Sequence, residues 1–499
     1  MTVEAQVARE SRSRELLLCA GAGLLSGLLL FNSDYPINLW PMMALAFMPL
    51  LAVLARRRSR VATAALAGVG LSLGYLIPLV VILRFPISMS LFFIAYYGLF
   101  WVLFALLGHA LWRRPGVMAA LATGALAGLV DYATYSVVPI WGTAQSLGKT
   151  WIDWPWGVGF VAFTGLAGVV AVLVALQSLA MLAIRRPEAK AGAGIAALSL
   201  MGVVAAANFW VSPGEPEGSV RVAALTILEP RTDDDRPMPA LANIESHIRP
   251  MVAEAVEGGA EIVATPEYSL RVEAEDRDAT LEALTSLARE HKIWLFAGLF
   301  DNVDEKNRLL FIDPEGRTVA SYEKVHLIYQ LESYNPGDGT LALVTAAGGL
   351  WGGMICQDDN FPEPAASYAA AGVQAMVVPT FDWREVKDFH FESSRFRSVE
   401  YRYAILRSAM NGISAIVAPG GRVVAMRDAY TDGEGVLVGD LPLPAADEVR
   451  ARIRAWFLVA CGLLVVGATH PGNFLKTWRA RRQGGRRSAP VANGVRRDC

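Results

Sequence analysis

The chain has 499 residues, of which 54% are apolar and 18% charged, and its mean hydropathy is +0.35. These values exclude an ordinary water-soluble protein. A net charge of −2 gives no ground for a nucleic-acid partner, and four cysteines, only one of them in the polar middle of the chain, exclude a disulfide framework there.

The apolar excess lies in the first 211 residues and in a short stretch near the end. Seven runs are long enough to span a bilayer, at 16–31, 38–55, 61–83, 87–111, 117–138, 158–184 and 192–211, and an eighth lies at 453–469. The region 1–211 is therefore predicted to be a helical membrane domain. Small residues such as Ala64, Ala65, Ala67, Gly68 and Gly70 suit close packing of its helices. The first run has too many successors to be a cleaved signal peptide. Basic residues gather on every second side. Arg9, Arg12 and Arg14 precede the first run, Arg56, Arg57, Arg58 and Arg60 follow the second, and Arg113 and Arg114 follow the fourth. Arg185, Arg186 and Lys190 follow the sixth, and the tail 476–499 is also basic. The positive-inside rule places these sides in the cytoplasm. Both termini are then inside, and the polar block between the seventh and eighth runs is outside.

The loop 139–156 carries Trp141, Trp151, Trp154 and Trp156 with Pro139 and Pro155. Tryptophans gather at membrane interfaces, so the loop reads either as an anchor belt or as the floor of a site that admits lipid chains. Asp131 falls near the outer end of its run, where an acid either snorkels or is functional.

Residues 212–219 read as a linker. Beyond it, strands are predicted at 220–228, 261–264, 293–300, 309–313, 318–322, 350–355, 375–379, 413–418, 422–426 and 436–439. Helices are predicted at 244–257, 281–291, 363–371 and 390–403. This alternation implies an α/β layered domain over 220–445.

Glu267, Lys324 and Cys356 fall at or near predicted strand ends, where open α/β sheets place ligand sites. A lone thiol after an apolar strand and beside Asp358 and Asp359 is a candidate nucleophile. The three residue types suit acyl transfer. The thiol attacks a carbonyl, the glutamate moves its proton, and the lysine, with a backbone N–H after the cysteine, stabilises the oxyanion. His326 offers a lesser Cys–His alternative. His247, His291, His326 and His390 lack ligand-like spacing, so no metal is expected. With no nucleotide-binding glycine loop, no cofactor is expected either.

Together these residues resemble the nitrilase, or carbon–nitrogen hydrolase, superfamily, whose signature is Glu–Lys–Cys in that order on an αββα sandwich. Glu332 lies eight residues after Lys324, where that family often places a second, positioning glutamate. Asn411-Gly412-Ile413-Ser414-Ala415 with Pro419-Gly420-Gly421 resembles its late strand pair. Pro379-Thr380-Phe381-Asp382, followed by a helix with His390, Arg395, Arg397 and Glu400, resembles the strand and helix before that pair. A domain of this kind set outside the membrane, between a seventh and an eighth run, is similar to the apolipoprotein N-acyltransferase family. Pro139-Ile140-Trp141-Gly142 resembles that family's aromatic loop.

The resemblance implies a multi-pass protein of the bacterial cytoplasmic membrane with a ping-pong reaction. A phospholipid donates an acyl chain to Cys356, and a diacylglyceryl-cysteine lipoprotein accepts it as an amide. The family usually follows its cysteine with Tyr-Glu. Gln357 and Asp358 stand there in this chain and are expected, with Glu332, to position substrate. The alternatives are a membrane-tethered amidase or nitrilase in which water resolves the thioester, and a non-catalytic membrane scaffold on a decayed nitrilase fold.

Overall fold

The computed structural model describes residues 3–34, 36–56, 60–211, 216–232, 234–445 and 450–469. The basic tail 476–499, part of the 212–219 linker, and Arg57 and Arg58 lie outside these.

Among the described residues, six helices are long and apolar enough to cross a bilayer. They are Ser11–Ser33, Val61–Ile82, Ile87–Trp112, Val117–Ser136, Ala167–Arg185 and Pro187–Trp210. They pack backbone to backbone where small residues meet: a Cβ on Gly23 would lie 1.9 Å from the Ala67 carbonyl oxygen. The expected run at 38–55 is not one helix. It breaks into Trp40–Met42, Met43–Ala46 and Met48–Leu54, with prolines opening the first and last pieces. The freed backbone is satisfied inside the bundle: Phe47 N–H donates to Gln177 Oε1 at 2.8 Å and Leu50 N–H to Ser26 Oγ at 3.0 Å. The run at 158–184 likewise breaks at Gly165, whose φ is +66°, between Val161–Thr164 and Ala167–Arg185. The last run forms the helix Arg450–Thr469, of which Ala455–Thr469 is the apolar part.

The polar block folds as two packed sheets. The first has the strand order Gly435–Leu443, Gly218–Thr226, Ile262–Ala264, Trp294–Asp301, Lys306–Ile312, Thr318–Glu323, with Leu270–Val272 beside Trp294–Asp301. The second runs Val423–Asp428, Ile413–Val417, Ala404–Met410, Ala375–Phe381, Gly349–Gly353, Leu343–Ala346. The two-residue period of a strand sorts the side chains. Val222 and Ala224 enter the core between the sheets with Phe296, Phe311, Trp351 and Leu406. Ala223 and Leu225 face the other way, against Val252, Leu284 and Leu287 of the helices Arg249–Glu257 and Arg277–His291. Tyr368 and Phe391, from the helices Pro362–Ala370 and Lys387–Tyr401, cover the outer face of the second sheet. The result is an αββα sandwich. The sequence pattern does not predict the strand Ala404–Met410, which is centred in the second sheet and buried at every position.

The loop 142–157 between the membrane helices forms three short 3-10 turns, Gly142–Gln145, Leu147–Asp153 and Pro155–Gly157. Asp131 does not snorkel. Its fully buried carboxylate accepts from Ser146 Oγ at 2.6 Å and from Leu147 N–H at 2.9 Å, which pins the loop to the helix Val117–Ser136.

Candidate active site

Glu267 follows the strand Ile262–Ala264, Lys324 follows Thr318–Glu323, and Cys356 lies three residues beyond Gly349–Gly353. The packed sheets bring these ends together, and all three side chains are almost fully buried. Lys324 Nζ donates to Glu267 Oε1 and to Glu332 Oε1, each at 2.8 Å. Asn307, which no sequence motif marks, donates to Glu267 Oε1 at 2.6 Å, and Phe381 N–H donates to Glu267 Oε2 at 2.7 Å. Glu332 also accepts from Ile328 N–H at 2.7 Å, which fixes the loop carrying it.

Burial pushes the Glu267 carboxyl above the usual carboxylate range, with Lys324 opposing the rise and Glu332 adding to it. Burial alone would lower the Lys324 ammonium, but the Cys356 sulfur when ionised, Glu267 and Glu332 more than reverse this and raise it well above its ordinary value. Burial, and then Glu267, push the Cys356 thiol well up, with Lys324 as a partial offset. The resting thiol is therefore protonated, and a base must take its proton during attack.

Cys356 has φ +48°, a left-handed conformation rare for a residue with a side chain. It opens the 3-10 turn Cys356–Asn360. The first bond of this turn is Asp358 N–H to the Ile355 carbonyl at 3.0 Å, so Gln357 N–H precedes the hydrogen-bonded ladder. Asp358 points away from the thiol pocket. Its fully buried carboxylate accepts from Tyr322 OH at 3.0 Å, Val325 N–H at 3.2 Å and His326 N–H at 2.7 Å, and it pairs with His326 Nδ1 at 2.8 Å. It thus ties the cysteine turn to the segment after Lys324. Gln357 Nε2 donates to the Ile140 carbonyl at 2.7 Å, and Thr143 Oγ1 donates to the Asn360 carbonyl at 2.8 Å. The cysteine turn is therefore held from one side by the aromatic loop of the membrane domain.

His390 lies on the other side of the thiol. Its Nδ1 is 2.7 Å from Asp382 Oδ1 and its Nε2 is 3.2 Å from the Cys356 carbonyl. Arg407 Nη2 donates to Asp382 Oδ2 at 2.8 Å. Burial alone would raise the Asp382 carboxyl, but Arg407 and His390 more than reverse this and hold it below the usual range. Donor atoms of Cys356, Asp382 and His390 lie within 4.8 Å of one another. One thiol, one imidazole and a carboxylate already paired with arginine do not make a four-ligand metal site, and the set is better described as a polar brace for the cysteine.

The thiol opens into a pocket of about 280 Å³ lined by Trp141, Ile328, Gln357, Phe381, Trp383 and Phe389, among others. A second, strongly apolar pocket of about 520 Å³ lies between the membrane helices, lined by Tyr75, Leu79, Phe93, Tyr97 and Trp101 among others. Trp141 and Phe389 border both pockets. Trp141 packs on Phe85 at 5.2 Å and edge-on to Trp383 at 6.1 Å.

Comparison with known proteins agrees with both halves of this architecture. Residues 236–451 match the model of the carbon–nitrogen hydrolase family, and residues 26–179 match the model of the apolipoprotein N-acyltransferase N-terminal domain. The chain is an apolipoprotein N-acyltransferase-like member of the nitrilase superfamily. It is 25% identical over 395 residues to the apolipoprotein N-acyltransferase of Allorhizobium ampelinum, covering 71% of this chain and 73% of that one. With the Rhizobium meliloti apolipoprotein N-acyltransferase it shares 26% over 430 residues, 74% of this chain and 76% of that one. A hydrolase of Schizosaccharomyces pombe is 28% identical over 212 residues, 36% of this chain and 66% of that one. Similarity to the hydrolase covers a stretch the size of one domain, whereas similarity to the acyltransferases runs through the membrane domain as well.

Proposed function

We propose that this protein transfers a fatty acyl chain from a membrane phospholipid to an amine through a thioester on Cys356, the acceptor being the N-terminal amine of a diacylglyceryl-cysteine lipoprotein. The observation that carries this reading is the pair of bordering pockets. An acyl chain lying in the apolar pocket between the membrane helices reaches the thiol past Trp141 and Phe389. A hydrolase of small amides has no use for an apolar recess between membrane helices that borders its thiol pocket.

In the first half-reaction Glu267 takes the thiol proton as sulfur attacks the ester carbonyl. A C–S bond forms and the carbonyl electron pair moves to oxygen, where Lys324 Nζ and Gln357 N–H stabilise it. Collapse breaks the bond to the glycerol oxygen, which takes the proton from Glu267 and leaves as lysophospholipid. In the second half Glu267 takes a proton from the attacking amine, the amide C–N bond forms, the C–S bond breaks, and sulfur regains the proton. Glu332 and Asn307 hold Lys324 and Glu267 in place. Asp358 organises the cysteine turn and does not touch substrate. The proposed orientation has the sandwich and both pockets on the extracytoplasmic side of the bacterial membrane and both termini in the cytoplasm, as the arginine pattern predicts.

The test is intact-mass analysis of the purified protein incubated with phospholipid, wild type beside Cys356→Ser. The expected result is a fatty-acyl mass gain on the wild type, missing from the variant and discharged by a diacylglyceryl-cysteine peptide. Turnover of small amides by a wild type that never acquires the adduct would overturn the proposal in favour of the hydrolase.

A further inference from the structure

We propose that the membrane domain carries a second lipid site, a receptor for the phosphate headgroup of an anionic phospholipid, at the end of the bundle opposite Cys356. Three helical elements finish there: Met48–Leu54, Ile87–Trp112 and Ala167–Arg185. Together they frame a pocket of about 640 Å³. The helix Ile87–Trp112 fixes its depth. It begins beside Phe85, which stacks on Trp141 at the thiol pocket, and its 26 residues rise about 39 Å before it reaches the other site. The two sites are a bilayer thickness apart.

The lining is cationic. Arg56, His109, Arg113 and Arg186 face the pocket, and no acidic residue lines it among the described residues. Three helix C-termini meeting at one place attract cations by their dipoles, and that alone explains one arginine per helix end. It does not explain why Arg56, Arg113 and Arg186 gather around an open pocket with so little anionic partnership among the described residues. Among the described residues neither Arg56 nor Arg113 forms an ion pair; the Arg56 guanidinium reaches only the Cys19 sulfur, a weak acceptor, at 3.4 Å. Arg186 lies 3.7 Å from Glu188, whose side chain is 69% exposed, a contact that solvent screens. The remaining lining residues are Leu54, Ala55, Trp112 and Pro115, of which Leu54 and Trp112 are almost fully buried, so the exposed surface of the pocket is mainly that of its cationic side chains. The pocket opens at the end of the helical bundle, at the depth where the headgroups of a surrounding leaflet lie, so a lipid phosphate is held at high local concentration there and a soluble anion is not. A phospholipid of the surrounding leaflet presents phosphate to the guanidinium groups while its acyl chains stay in the bilayer, as lipids do at basic pockets on the cytoplasmic ends of helices elsewhere.

The experiment is native mass spectrometry of the full-length protein in detergent, titrated separately with phosphatidylglycerol, phosphatidylcholine and inorganic phosphate. The proteins are the wild type, Arg56→Gln/Arg113→Gln, and Arg84→Gln as a control from the opposite membrane face. Retention of phosphatidylglycerol should weaken roughly tenfold or more in the double variant and stay unchanged in the control. Phosphatidylcholine retention should be the same in all three proteins. Equal phosphatidylglycerol retention in the double variant would overturn the proposal, as would inorganic phosphate that competes the lipid away at equal occupancy, which would assign the pocket to a soluble anion. Should the double variant not fold, wild-type protein is photolabelled with a headgroup-diazirine phosphatidylglycerol. Adducts near Trp112 and Arg113 support the site, and adducts confined to the other membrane face refute it.

Discussion

Gly142→Ala tests whether the membrane loop sets the geometry of the cysteine turn. Gly142 has φ +53°, and a Cβ there would lie 2.3 Å from the Asn360 carbonyl oxygen and 2.8 Å from its carbon, where ordinary contact begins near 3.4 Å. Both neighbours are backbone, so no side chain can swing aside, and one wall must retreat by roughly 1 Å. Asn360 closes the turn that Cys356 opens, so the retreat moves Gln357 N–H and the sulfur. A misplacement of about 1 Å at a reacting centre costs on the order of 10²-fold in rate. The left-handed backbone adds about 1 kcal/mol of strain of its own. Gly348→Ala separates the two effects. Gly348 has φ +77°, and a Cβ added there would meet nothing within 4 Å, so it carries the strain without the collision. The assay is the rate of acyl-enzyme formation by intact mass, with thermal unfolding alongside. Gly142→Ala should lose about 30- to 100-fold in rate, while Gly348→Ala should stay within about twofold. Equal rates in the two variants would refute the reasoning.

Three further outcomes are expected. In Glu332→Gln the acid limb of the kcat/KM profile should move to lower pH. Glu332 helps raise the Glu267 carboxyl, and a general base is lost as pH falls through its pKa; a limb that stays or moves upward contradicts the assignment of Glu267 as base. Arg407→Met leaves Asp382 buried with only His390 to answer it, and should destabilise the sandwich by about 3–5 kcal/mol in denaturant titration. Asp358→Asn replaces a charged acceptor of several N–H and O–H donors, and should cost roughly 1.5–3 kcal/mol of stability and lower kcat more than KM. A changed KM alone would mean that Asp358 contacts substrate.

Legibility in the sequence follows what each signal physically encodes. Hydropathy finds the membrane domain because long apolar runs have no other use, yet it treats 38–55 as a single helix. Proline breaks are invisible to an average, and the side chains that repair them, Ser26 and Gln177, lie far along the chain. The strand Ala404–Met410 escapes for the converse reason. Arg407 and Ser408 look like surface residues, but both are buried, with Arg407 on Asp382 and Ser408 on the Leu225 and Ala264 carbonyls. Glu267, Lys324 and Cys356 are legible because strand ends are where such residues meet. Asn307 is not, because one asparagine in a strand carries no pattern. The charge of Asp358 can be read, but its direction cannot: whether an acid faces substrate or its own backbone depends on N–H groups of Val325 and His326, about thirty residues away in the sequence.

The turn that carries Cys356 has a divided ownership. One flank is braced by the sandwich through His390 and Asp382, the other by Ile140, Gly142 and Thr143 of the membrane loop. The two halves of the chain are therefore not a catalyst and its anchor. Without the membrane loop, Gln357 and Asn360 would reach toward a wall that had gone. The membrane domain supplies half the mould in which the nucleophile is cast, so a change in its loop 139–156 is a change in the active site itself.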